Sequence, residues 1–131
     1  MSEPAFRFVS APSALIGSPS GWAAEMLRDG EVALLASDGL DAINRVAHEL
    51  SRTSIQVIRS EADPASQDQT VIDFAASLPL IWVGPAFSEP AETWARQRGP
   101  MTLQVTAAGT LLEEERRRID RFVAILGRQS E

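Results

Sequence analysis

The sequence predicts an α/β fold, a Rossmann-like or flavodoxin-like three-layer sandwich around a mostly parallel sheet of four or five strands. Three observations lead there. Short, nearly continuous apolar runs suit strands buried on both faces. Amphipathic stretches of helical period alternate with them, the order that right-handed crossovers convert into a parallel sheet with helices on both sides. A length of 131 residues suits one domain with one core, residues 1–131, of which 1–30 are the hardest to assign.

In chain order, residues 31–37 (EVALLAS) are the first clear buried strand. A helix follows, with Asp38 as its cap and Leu40, Ile43, Val46, Ala47 and Leu50 on one face. Residues 54–59 read as a second strand, with Ile55 and Val57 on the same side. Residues 64–69 read as a loop, and Val71, Ile72, Phe74, Ala75 and Leu78 as a short helix stopped by Pro79. Residues 80–83 (LIWV) form a third strand broken by Gly84 and Pro85. Ser88 then caps a helix with Pro90 in its first turn, Trp94 as an apolar anchor, and Gly99 and Pro100 at its close.

Residues 101–106 alternate as a fourth strand. The last helix has the capping-box spacing Thr110/Glu113, the pairs Glu113/Arg117 and Glu114/Arg118, a docking stripe of Ile119, Phe122, Val123 and Leu126, and Gly127 as a stop. The run of three glutamates and three arginines at 113–118 reads as a salt-bridged helix face, not a nucleic-acid patch. Before residue 30, residues 6–9 read as an edge strand, 14–16 as another short strand, and 22–27 as a helical turn or two ahead of Gly30.

Composition removes several functions. The chain has no cysteine and all twelve cationic residues are arginine, so it offers no Schiff-base or phosphate-loop lysine, no thiolate nucleophile and no cysteine zinc site. The lysine-free, alanine-rich usage fits coding bias in a GC-rich bacterial genome. A formal net charge of -6 argues against nucleic acid as a partner. With no apolar run of membrane length and no signal-peptide profile, the expectation is a soluble, cytoplasmic protein with no membrane partner. The one histidine, His48, sits on a helix side without a local nucleophile to serve.

In open α/β sheets ligands bind beyond the carboxyl ends of the strands, and those ends carry Asp38, Glu61, Gly84 and Thr106 as pocket candidates, with Ser37, Ser60, Asp63 and Pro85 beside them. Asp38, Glu61, Asp63 and Asp73 have no spacing that would gather them into a metal or acid/base site, so they read as solvated carboxylates.

The order of elements resembles a response-regulator receiver domain over residues 31–110. Residues 32–38 lie where that family has its acidic first strand, 80–85 where it has the phosphoacceptor strand, and Val105, Thr106 and Ala107 where it has a switch threonine followed by alanine. The departures define what the likeness implies. Gly84 stands at the acceptor aspartate's position, only Asp38 remains of the acidic pair, and the chain has no lysine to complete the site. The resemblance thus implies a degenerate receiver that binds partners without phosphoryl chemistry. In the competing reading Asp38 is a helix cap and Thr106 an ordinary strand residue.

The loop Gly17, Ser18, Pro19, Ser20 and Gly21 is the other candidate. Ahead of a helix it would present backbone N–H groups to a phosphate, and it resembles the phosphate loop of flavodoxins apart from Trp22, where that family has a small or amide residue. It reads equally as a plain turn. Trp82 reads as core, whereas Trp22 or Trp94 would suit an interface, and Trp94 is the candidate anchor. The expectation is therefore a non-catalytic regulatory or interaction domain without cofactor or metal, working through a protein partner or self-association. The alternative is a small nucleotide- or flavin-binding module or enzyme using the 17–21 loop as its anion site.

Overall fold

A computed structural model describes residues 4–19, 21–36, 39–51, 55–59 and 61–129. Its first strand, β1 (Phe6–Ser10), lies in the middle of the sheet, because each of its faces is apolar enough to be covered. Phe6 and Phe8 enter one core and Val9 the other. The remaining strands are β2 (Gly30–Leu35), β3 (Gln56–Ile58), β4 (Leu80–Gly84) and β5 (Thr102–Thr106). All pairings are parallel, in the order β3-β2-β1-β4-β5.

Helices cover both faces. Four-residue α1 (Pro12–Leu15), α2 (Trp22–Met26), α3 (Leu40–Glu49) and α6 (Glu113–Gln129) pack on the side of Phe6, Phe8, Val32, Leu34, Ile81 and Val83. On the other side α4 (Pro64–Ala75) and α5 (Glu89–Arg98) enclose Val9, Ala33, Ile58, Leu80 and Trp82. A 3₁₀ turn, Gly99–Met101, leads into β5. The result is the three-layer α/β sandwich the sequence predicts. Its strand order is 3-2-1-4-5, that of the Rossmann sheet rather than the 2-1-3-4-5 order of the flavodoxin-like sheet.

Several elements differ from the sequence expectation for identifiable reasons. Residues 6–9 are a central strand, not an edge, because Arg7 is neutralised in place. Its Nε donates to Glu31 Oε1 at 2.9 Å, another nitrogen donates to the Phe74 carbonyl, and the guanidinium lies 4.9 Å from the centre of the Phe74 ring. Residues 14–16 are not a strand: Pro12 at the first helical position opens α1. The supposed loop at 64–69 is the first half of α4, since Asp63 caps it by accepting from Ser66 N–H at 3.0 Å and Pro64 follows. The second strand is shorter than expected, at three residues.

The Thr110/Glu113 capping box does not form. Thr110 instead donates to Ile16 O at 2.8 Å, and Glu115 accepts from Leu112 N–H at the same distance. Of the two expected ion pairs on α6, Glu113/Arg117 forms at 2.9 Å, while Arg118 turns to the Gln104 carbonyl at 3.4 Å. Gly127 does not stop α6, which continues to Gln129.

Candidate functional site

The chain runs from β1 outward to β2 and β3, then returns to place β4 on the opposite side of β1. This makes the crevice between the carboxyl ends of β1 and β4 the topological switch point, where open α/β sheets take their ligands. Ser10 closes β1. It is fully buried, and its hydroxyl donates to the carbonyl of Ala11 at 2.9 Å. Ala11 and Pro12 then turn directly into α1, so the position of a glycine-rich phosphate turn is taken by an alanine and a proline.

On the β4 side, Gly84 is the register partner of Thr106, and its carbonyl accepts the Ala107 N–H at 2.9 Å. A Cβ added to Gly84 would meet the Phe87 ring at an ordinary 3.7 Å, so the glycine is not imposed by crowding. Thr106 is exposed at the end of the edge strand.

The structure thus brings Gly84 and Thr106 together but leaves Glu61 on the far side. With β2 and β1 between β3 and β4, Glu61 is about three strand spacings, roughly 14 Å, from Gly84. Glu61 instead fastens the entry to α4. It accepts from Arg59 Nε at 2.7 Å and from the Thr70 hydroxyl at 3.2 Å, while its N–H donates to Gln67 Oε1 at 3.0 Å. Two hydrogen bonds from Ser66 hold the Asp63 carboxyl below its ordinary pKa: the backbone N–H contributes more, and the Ser66 hydroxyl adds an O–H···O bond. Asp38 and Ser20 lie outside the described residues. Among the described residues no three His, Asp or Glu side chains gather where they could hold a metal ion, and His48 is exposed on α3.

The described residues of the 17–21 loop, 17–19 and Gly21, make local turns, and Gly17 docks on the β5–α6 connection. Gly17 and Gly21 take φ values of +93° and +82°. Ser18 N–H donates to Leu15 O at 3.2 Å and Trp22 N–H to Pro19 O at 3.1 Å, so two of the amides an anion would need are already engaged. Ser18 Oγ is buried without a hydrogen-bond partner among the described residues. Gly17 packs so closely on Thr110 that a Cβ would lie 3.3 Å from its methyl group. Helix α2 after the loop has five residues, and Trp22 Nε1 donates to Asp120 of α6 at 2.9 Å. The loop is separated from β1 by the whole of α1.

Trp94 does not stand clear of the fold as an anchor would. It is half-buried against the α4/α5 core, edge-on to Trp82 with ring centres 6.3 Å apart. Arg98 lies 4.6 Å from the centre of its ring, and burial pushes the Arg98 guanidinium below its ordinary pKa. A broad depression of about 850 Å³ opens at the other end of the sheet, over Phe6, Gly30, Leu50 and Leu126. Its charged rim is occupied by internal pairs, Arg28 with Asp29 and Glu31 with Arg7.

Sequence reasoning missed the β1–α1 turn as the switch-point element because it placed β1 at the margin. The signal available was Phe6, Phe8 and Val9, which supply apolar side chains to both faces. No protein-family model matches the chain, and no curated protein or solved structure resembles it at a significant level. No helix among the described residues is long and apolar enough to cross a membrane.

Proposed function

We propose that the chain is a non-catalytic interaction domain, acting through its surface on a protein partner or a second copy. One observation carries this reading. At the switch point, where this fold class places its chemistry, the ends of β1 and β4 and the turns after them carry Ser10, Ala11, Pro12, Gly84, Pro85 and Ala86, and the buried Ser10 hydroxyl is already bonded to a neighbouring carbonyl. These six strand-end residues include no base to activate a nucleophile and no cation to hold a phosphate.

The receiver likeness enters this proposal as scaffold alone. In the 2-1-3-4-5 order the acidic strand would adjoin the acceptor strand, whereas here β1 stands between β2 and β4. A degenerate receiver would in any case use the same surface logic, without phosphoryl transfer.

The test is a thermal-shift screen across nucleotides, flavins and common metabolites, together with incubation in acetyl phosphate and magnesium. The expected result is no saturable shift and no covalent phosphate. A saturable shift of several degrees that Ser18→Trp abolishes would establish a small-molecule site and overturn the proposal.

A further inference from the structure

On the interaction-domain reading, we propose that the outward face of α6 is a self-complementary surface that pairs antiparallel with α6 of a second copy about a two-fold axis near residue 118. Ile119 and Leu126 turn inward, so Glu114, Arg117, Arg121 and Ala124 form the helix's solvent side at three-and-four spacing, all exposed. A shallow groove lies among Glu114, Arg117, Asp120 and Arg121. Exposed Ile125, 50 % accessible, stands one turn beyond Arg121 on the same helix.

The order along this face is acidic then basic, which a two-fold axis converts into matched contacts between opposite charges. Glu114 and Arg121 lie four and three residues from position 118. Each glutamate therefore meets the arginine of the other copy about one axis. The arginines nearest the axis are engaged within their own copy. Arg117 is paired with Glu113 in its own helix, and Arg118 is folded onto the Gln104 carbonyl. A symmetric pair is isologous and closes at two copies.

A 17-residue helix presents a strip roughly 25 Å by 10 Å. This is well under the roughly 800 Å² per partner of a stable complex, so the dimer is weak, rapidly exchanging and salt-sensitive.

The experiment is sedimentation of the full chain at high micromolar concentration in low and high salt, with Glu114→Arg and Arg121→Glu variants run alone and mixed one to one. Both positions are exposed, so both variants fold, which circular dichroism verifies. The wild type is expected to dimerise in low salt and dissociate in high salt. Each variant alone should weaken dimerisation at least tenfold, and the mixture should restore it, because each variant then meets the opposite charge at both contacts. A wild type monomeric throughout, variants that dimerise as well as it does, or a mixture that fails to recover would each overturn the α6 pairing. The interaction-domain reading stands or falls separately, on the ligand screen.

Discussion

Arg7 and Glu31 face each other across β1 and β2 as register partners, with a 2.9 Å bond from guanidinium to carboxylate. The Glu31 side chain keeps 40 % of its exposure, so water already screens the pair, and Arg7 retains the Phe74 carbonyl and ring when Glu31 is removed. Glu31→Gln is therefore expected to cost under about 1 kcal/mol. Arg7→Ala should cost more, about 1 to 3 kcal/mol, because it also strips packing and leaves that carbonyl unmet in a central strand. Urea denaturation of the two variants decides it; equal costs would mean that the ion pair is Arg7's whole contribution.

Gly30 opens β2 directly beneath the ring of Phe6, and a Cβ there would lie 2.3 Å from Phe6 Cε2. Gly30→Ala is expected to destabilise by about 1 to 3 kcal/mol through overpacking. In the background of Phe6→Leu the same change should cost distinctly less, since the smaller side chain vacates the contested space. A double-mutant cycle measures this, and strictly additive effects would show that the strain lies elsewhere.

How far the fold could be read from the sequence follows from where each element's polar groups go. β2 and β4 were legible because strands covered on both faces carry unbroken apolar runs, residues 32–35 and 80–83, and α5 because Ser88 caps it by accepting from Ala91 N–H. β1 was displaced to the margin because Arg7 interrupts its apolar run, and the Glu31 that neutralises it is 24 residues away. The first half of α4 was hidden by Ser66, Gln67, Asp68 and Gln69, although Asp63 followed by Pro64 was a usable start signal. Gly84 and Thr106 end neighbouring strands as register partners, whereas Glu61 was not separable from them until strand order was known. Thr110 has the spacing of a helix cap, yet its hydroxyl reaches Ile16, a partner no local pattern announces.

Trp94, half-buried against Trp82 and stacked by Arg98, is a folding residue first. Trp94→Ala is expected to lower stability by about 1 to 3 kcal/mol. This loss should appear in the denaturation of dilute protein, where self-association plays no part. A fully stable variant would return Trp94 to the surface role that its sequence position suggests.

The cap of α4 makes a pH-dependent contribution whose sign is fixed by its cause. Bonds from Ser66 favour the charged Asp63 carboxyl and lower its folded pKa below 3.8. Its stabilisation is therefore present above that value and is lost as pH falls through the lower folded one. Asp63→Ala should reduce the urea midpoint at neutral pH, with the difference from wild type shrinking steadily on acidification below pH 3.8. A difference that is constant with pH would show that the bond to the carboxylate is not what holds the helix start.

Helix α6 separates burial from surface charge within three residues. Ile119 is fully buried in the core beneath Phe6, Phe8 and Ile81, whereas Arg117 sits on the solvent side with 69 % of its side chain exposed, paired to Glu113 at the i, i+4 spacing. Removing the Ile119 side chain down to Cβ takes three carbons out of a packed layer and leaves a cavity, and such changes cost about 2 to 5 kcal/mol. Removing Arg117 breaks a screened pair worth a few tenths and disturbs no packing, so its cost should stay under about 1 kcal/mol. The outward surface should respond in the reverse order: Arg117→Ala alters the charge pattern of the proposed two-fold contact, while Ile119→Ala leaves that surface intact wherever the protein remains folded. Denaturation and sedimentation on the same two variants give both readouts. Comparable stability losses from the two changes would mean that α6 is rotated from the face described above.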